Sequence, residues 1–522
     1  MSGAPRPIGA ADDRIPEEVR MEPWDEHNRR LVDHVHPADW TNPTPKGRYH
    51  LVVLGAGTGG LVSAIAAASL GARVALIERH LMGGDCLNVG CVPSKGVISA
   101  ARAWHDRGAV FGAPRRSGAG DFAKAMERMR RIRADIGRHD SARRFADAGV
   151  DVYLGDGRFV APDAVEVAGT RLRFKRAVIA TGARAAAPPI PGLDEAGYLT
   201  NETVFSLTEL PERLLVIGAG PIGCEMAQSF AQYGSRVTLF DQAEHVLSRE
   251  NASAAAVVQR RMVEDGVALE LGVEVTGVER RPGARRDEVV VSYRRDDEER
   301  EAAGDRLLVA VGRKPNLDGL GLEAAGVEHQ RDGVQVDDRL RTSNRRIFAV
   351  GDITPHLKFT HLADAHAGIV VQNALFFGRK KASSLVIPWC TYTSPEIAHV
   401  GLYEHQASDR GIAVETVRVP LAEVDRAILD GEDDGFLELV LEQGKDRVLG
   451  ATLVAEHAGD MLPALCLAVT YGLGLGQIVG TIFPYPTQGE VLKKAAAQWR
   501  RKKLTPFAQK VFRFWFGKLF RA

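Results

Sequence analysis

The chain has 522 residues, with 67 Lys plus Arg against 67 Asp plus Glu, 45% apolar residues, 26% charged residues, five cysteines and 54 glycines. At roughly 150 residues per domain this length implies three or four domains, and zero net charge argues against a nucleic-acid binder, which would carry a basic excess. Five cysteines exclude a disulfide-stapled secreted scaffold and fit a reducing, cytoplasmic compartment, while the ordinary apolar and charged fractions exclude a largely disordered chain.

Residues 1–46 are polar and proline-rich, end in TNPTPKG, and contain no apolar signal segment. They read as an irregular leader with at most a short helix around Glu22 to Val35. YHLVVL (49–54) is a short β-branched run that predicts a buried strand. No charge occurs from Leu51 to Ala72, yet GAGTGG interrupts the run, so strand, tight turn and helix fit better than a membrane span. The strand RVALIE then ends at Glu78. From Asp121 to Asp147 an Arg-rich stretch has helical spacing and reads as a solvated amphipathic helix rather than a nucleic-acid patch.

A second unit, RLLVIGAGPIGCE followed by RVTLFD, repeats the first. Gly55 to Glu78 and Gly218 to Asp241 both span 23 positions. In each GxGxxG turn (Gly55, Gly57, Gly60; Gly218, Gly220, Gly223) the first glycine permits the sharp turn. The second lets backbone approach a pyrophosphate and the third lets helix and strand pack closely. The acid about 20 residues on accepts hydrogen bonds from a ribose. Two copies imply two nucleotides in one chain. Asp241 would repel a 2′-phosphate and the next residues, Gln242 and Ala243, are not basic, so NADH is expected over NADPH; Arg249 is the nearest downstream arginine.

Between the two units, Glu78 is followed by RHLMGGDCLNVGCVPSKGVISAARAW. Cys86 and Cys91 are separated by four residues, before a helix expected to open at Pro93, whose N-terminus favours a thiolate at Cys91. A metal site lacks further ligands, since Asp85 and Asn88 are poor ones and no second cysteine pair exists. A buried core pair conflicts with Gly83, Gly84 and Gly90. A redox-active disulfide fits best, beside a flavin in the first unit that receives electrons from a nicotinamide in the second. Cys224, Cys390 and Cys466 read as structural.

GGDCLNVGCVPSK resembles the signature of the class I pyridine-nucleotide-disulfide oxidoreductases, whose members include glutathione reductase, dihydrolipoyl dehydrogenase and mercuric reductase. The resemblance runs over residues 48–498 and continues in ATGA (Ala180 to Ala183), VGRKPN (Val311 to Asn316) and TSNRRIFAVGD, ending at Asp352. It implies an α/β fold with two Rossmann-like dinucleotide-binding domains, for FAD and NAD(P), plus a C-terminal α+β dimerisation domain. The implied boundaries are a leader to 46, an FAD-binding part at 47–205, an NAD(P)-binding domain at 206–325, a second FAD and central part at 326–382, a dimerisation domain at 383–498 and a basic aromatic tail at 499–522. Gly84, Thr181, Gly182, Gly312, Arg313 and Asp352 would complete the cofactor contacts, Asp352 on the ribityl chain. Lys95 and Glu225 would pair near the flavin–nicotinamide contact. Cys91 would be the flavin-side thiolate and Cys86 the interchange thiol of a homodimer that shares its active site across the interface.

The family's disulfide reductases carry HPTxxE near the C-terminus, where His and Glu shuttle protons. Here the stretch is YPTQGE, which leaves Tyr485 and Glu490. A phenol with an ordinary pKa of about 10 is a poor base, whereas mercuric reductases carry Tyr there and a soft metal held by two thiolates needs no such acid. The expected function is therefore transfer of electrons from NADH through FAD to Cys86–Cys91 and on to a small acceptor such as Hg(II). No structural metal is expected, only a transient substrate metal at the two thiols. Against it, the tail FRFWFGKLFRA lacks the vicinal cysteines usual in mercuric reductases. Dihydrolipoyl-dehydrogenase-like activity is the alternative, and a membrane-docked flavoprotein redox sensor is the alternative from another class. From Thr505 to Arg521 the spacing predicts an amphipathic helix, with Phe507, Val511, Phe512, Trp515 and Leu519 on one face and Lys510, Arg513, Lys518 and Arg521 largely opposite. It suits an anionic membrane surface or the protein's own dimer.

Overall fold

A computed structural model describes residues 15–107, 121–283, 287–502 and 504–520. Residues 1–14 of the leader and Arg521 of the tail lie outside the described residues, as does the side chain of Leu519. The chain divides into two compact units. The first takes residues 15–105, 121–242 and 268–385, and the second takes 106–107, 243–267 and 386–520.

In the first unit, strand Tyr49–Leu54 pairs in parallel with Val74–Glu78 on one side and Thr170–Ile179 on the other. Its residues are buried on both faces, the reason YHLVVL is an unbroken apolar run. Strand Ile347–Ala349 joins the same sheet beside Thr170–Ile179, which returns the segment before Asp352 to the first nucleotide unit. A four-stranded sheet repeats the plan, with Arg213–Ile217 between Arg236–Asp241 and Arg306–Val309. A three-stranded antiparallel sheet runs from Glu274 to Gly304.

The leader is packed where it is described. Helix Glu26–Val35 is capped by Asp25, whose carboxylate accepts from Asn28 N–H at 2.9 Å. Asn28, Leu31, Val32 and Val35 share one face and are fully buried, the three apolar ones in the same core as Leu51 and Val53. The Arg-rich stretch forms helix Phe122–Gly137, but it is not a wholly solvated face. Arg130 and Arg133 are buried because the leader receives them: Arg130 donates to Asp25 at 2.5 Å and Arg133 to the Asn28 side chain at 2.7 Å.

The second unit holds a five-stranded antiparallel sheet in the order Trp389–Thr391, Glu396–Gly401, Val448–Ala455, Phe436–Glu442, Val414–Pro420. Helices Ala458–Tyr471 and Glu490–Lys502 cover it with Leu462, Leu465, Val491, Leu492 and Trp499. Helix Pro506–Phe514 follows, with Thr505 as its cap and a π turn over Trp515–Leu519, and none of its residues is buried. Among the described residues no helix is long and apolar enough to cross a membrane.

Candidate active site

The two glycine turns are built alike. Gly55 N–H donates to Ile77 O and Gly218 N–H to Phe240 O, both at 2.8 Å. A Cβ at Gly60 would stand 1.8 Å from Gly55 O, and one at Gly223 would stand 1.8 Å from Gly218 O, so only glycine lets each helix start against its turn. Glu78 accepts from Ala56 N–H at 2.7 Å and Asp241 from Ala219 N–H at 2.6 Å. Each acid therefore holds the turn from the end of the neighbouring strand. Gly57 and Gly220 leave the turn backbone bare at the first turn of the helices Thr58–Ser69 and Pro221–Gln232. That backbone, a helix N-terminus and a carboxylate fit a dinucleotide at each turn.

The cysteine loop is seated directly on the first turn. Gly84 has φ of +58°, and a Cβ there would lie 2.7 Å from Gly57 Cα, so the loop and the nucleotide turn touch backbone to backbone. Cys86 sits on the short helix Gly84–Asn88. The next helix begins at Cys91 itself, not at Pro93; proline is tolerated this early because first-turn N–H groups have no intrahelical partner. Cys91 Sγ lies 3.3 Å from Thr360 Oγ1. The hydrogen bond from Cys86, that from Thr360 and the charge of Lys95 pull the Cys91 thiol down to about 6, against the partial desolvation of its sulfur, although the residue as a whole is exposed. The same contact with Cys91, together with burial, pushes Cys86 up. The pair is thus asymmetric, with the thiolate at the helix start.

Lys95, one helical turn beyond Cys91, donates to the buried Glu225 carboxylate at 2.9 Å. Glu225 lies on the helix that opens at the second glycine turn. The ATGA and VGRKPN segments are joined by strands Ala183–Ala185 and Arg313–Pro315. Thr181 donates to Asn316 O at 3.1 Å and Asn316 N–H donates to Gly182 O at 3.0 Å, while Gly312 O accepts from Ala186 N–H at 3.0 Å. Arg313 donates to Asp352 at 3.2 Å, to Ala183 O at 2.6 Å and to the Asp85 carboxylate. Asp352 is raised by burial, which outweighs the opposing charges of Arg313 and Lys358. In the first unit the structure therefore links the cysteine loop, both glycine turns, Lys95, Glu225, Arg313 and Asp352.

Tyr485 and Glu490 belong to the second unit. Tyr485 is largely exposed and its hydroxyl donates to Asp425 at 3.1 Å; that hydrogen bond and the Asp425 charge raise its pKa, with Glu490 adding less. Glu490 is buried at the start of its helix. Sequence reasoning found these residues but missed four partners: Thr360, Asp425, Arg133 and the Arg313-binding role of Asp85. Asp85 adjoins Cys86 in the signature, where its carboxylate reads only as a poor metal ligand. The others carry no local signal, since each acts on a residue far away in the sequence.

Residues 49–367 match the pyridine nucleotide-disulphide oxidoreductase family, and residues 387–496 match its dimerisation domain. A mercuric reductase of Bacillus cereus is 37% identical over 450 residues, covering 86% of this chain and 71% of that protein. A dihydrolipoyl dehydrogenase of Geobacillus stearothermophilus is 35% identical over 454 residues, covering 85% and 95%. The Cu(II) complex of the HOCl-induced flavoprotein disulfide reductase RclA from Escherichia coli has a TM-score of 0.76 at 29% identity, over 85% of this chain and 99% of that one. With its FAD and pyridine-nucleotide sites, its paired redox cysteines and its dimerisation domain, the chain belongs to the pyridine nucleotide-disulphide oxidoreductase family.

Proposed function

We propose that the protein takes an electron pair from NADH, through FAD, to Cys86–Cys91 and uses it to reduce a soft metal ion such as Hg(II), held as substrate by the two thiolates. The observation that carries this reading is Tyr485, exposed and held against Asp425, in the motif position that by resemblance carries the base of a disulfide reductase. Its phenol, raised further above its ordinary value, is protonated at neutral pH and serves as a hydrogen-bond donor or a metal-facing oxygen. Gly55, Gly57, Gly60, Glu78, Gly84, Thr181, Gly182, Gly312, Arg313 and Asp352 would hold FAD, and Gly218, Gly220, Gly223 and Asp241 would hold NADH. The bound flavin supplies two-electron transfer between nicotinamide and disulfide.

The chain's own groups do the rest. Lys95 and Glu225 neutralise one another at 2.9 Å and tie the cysteine helix to the nicotinamide turn. Cys91 is ionised at neutral pH without a base. Cys86 faces the acceptor and binds the metal with Cys91, since thiolates are the preferred ligands of soft ions. For the free ion the balance is one NADH and one Hg(II) giving NAD⁺, one proton and Hg(0), and the reduction itself cleaves no disulfide. Mercury delivered as a bis-thiolate releases its two thiols on transfer to Cys86 and Cys91, before that step.

The test is NADH oxidation by the FAD-loaded homodimer with Hg(II) in excess small thiol, set against lipoamide and glutathione disulfide. Hg(II)-dependent turnover with release of elemental mercury is the expected result. Efficient lipoamide turnover without an Hg(II) response would install the dihydrolipoyl-dehydrogenase-like reading, which the relative from Geobacillus stearothermophilus favours by matching over 95% of its length.

A further inference from the structure

Residues 497–522 lie beyond the dimerisation-domain match, which ends at 496. They contain eight Lys or Arg and no Asp or Glu. The preceding helix, Glu490–Lys502, buries one face: Val491, Leu492, Ala495 and Trp499 pack into the core of the second unit. Helix Pro506–Phe514 and residues 515–518 of its π turn bury nothing, although they carry more aromatic surface. Phe507 is 76% exposed, Phe516 62% and Trp515 50%.

At 100° per residue over the regular helix Pro506–Phe514, Phe514, Phe507, Val511 and Phe512 sweep one broad face, and Gln509, Arg513 and Lys510 occupy the opposite one. Lys518, carried on the π turn, stands over the Phe514 ring at 5.5 Å, so it lies beside the aromatic face and not opposite it as the spacing predicts. Arg500, Arg501 and Lys502 close the preceding helix with a further cationic cluster. An aromatic face bordered by cations, with no anion in the segment, is complementary to a surface that is apolar below and anionic above. We infer that residues 506–520 lay the enzyme on an anionic lipid surface, the aromatic face in the acyl boundary and the cations among the headgroups.

A cation beside such a membrane strengthens binding about fivefold per residue, so the attachment is reversible and weakens with salt. The inference does not depend on the identity of the electron acceptor. The experiment is co-sedimentation of the FAD-loaded homodimer with phosphatidylglycerol–phosphatidylcholine vesicles, against phosphatidylcholine alone, at low and high salt. Binding is expected to anionic vesicles only and to fall with salt. It should disappear in a chain ended at Leu504 and weaken at least about tenfold when Phe512→Glu and Trp515→Glu are combined, with flavin content and dimer size unchanged. Failure of the full chain to sediment at low salt overturns the inference, as does undiminished binding by the shortened chain. If shortening instead loosens the dimer while vesicles capture nothing, the helix is a self-docking element and the lipid assignment falls.

Discussion

At Cys91 three influences converge: the Cys86 thiol, the Thr360 hydroxyl and the Lys95 charge, all favouring the thiolate over the thiol. The thiolate is therefore the majority form above about pH 6 and is lost on acidification through that value. The long-wavelength thiolate–flavin absorbance of the reduced enzyme should fade over that range. Thr360→Ala removes one hydrogen bond to the charged form, worth about 1.5–3 kcal/mol, so the titration should move upward by about one pH unit or more. An unmoved midpoint would mean that the 3.3 Å contact does not act on the thiolate. Cys86→Ser should show the band in the oxidised enzyme and Cys91→Ser should lack it; identical spectra would remove the assignment of roles. Asp241 makes a second residue-scale prediction. Its carboxylate already holds Ala219 N–H, and a 2′-phosphate beside it would meet like charge. NADH should exceed NADPH in kcat/KM by about tenfold or more, the equivalent of about 1.4 kcal/mol. Asp241→Ala combined with Gln242→Arg should reverse the order, and equal wild-type values would show another base reaching the phosphate.

The cysteine loop depends on an element that the family match omits, since that match begins at residue 49. Arg133, 1% exposed, donates to Asn88 O at 2.6 Å at the end of the Cys86 helix and to the leader's Asn28 at 2.7 Å. Asn28 in turn donates to Met21 O and Pro23 O. Asn28→Ala would leave a buried guanidinium short of an acceptor, at a cost of about 2–3 kcal/mol. The loss should appear in denaturant unfolding of the holoenzyme, and a wild-type midpoint would show that water replaces the amide. This brace was illegible in the sequence. Leu31, Val32 and Val35 are too few, among too many charges, to declare a buried helix, and the arginines of helix Phe122–Gly137 look solvated until their partners are known. The glycine turns were legible because each rests on local geometry: strand, turn, helix and an acid at fixed spacing. Lys95 and Glu225, 130 positions apart, came from the family resemblance, whereas Thr360 and Asp425 had neither spacing nor resemblance to reveal them.

In the homodimer that the dimerisation domain supports, the proposed reading sets Tyr485 opposite the partner's cysteine loop, which would make the acceptor class a property of two chains. A disulfide acceptor releases a thiolate that must be protonated, and general acid–base help is worth about 10²–10⁴ in rate. Tyr485 supplies little of it, because its hydroxyl is committed to Asp425 and its pKa is raised. Tyr485→His should therefore raise the weak turnover of lipoamide. An imidazole has an ordinary pKa near 6.5 and can cycle at neutral pH. On the proposed reading Tyr485→Phe should lower Hg(II) turnover, since it removes the phenol oxygen which that reading assigns to the substrate metal. Neither change should alter the rate of flavin reduction by NADH, measured by stopped flow, because Glu225, Lys95 and Asp241 are untouched. The two substitutions thus separate the half-reactions. If Tyr485→His leaves lipoamide turnover at the wild-type level while Tyr485→Phe leaves Hg(II) turnover intact, position 485 does not set the acceptor, and the metal reading loses the observation on which it stands.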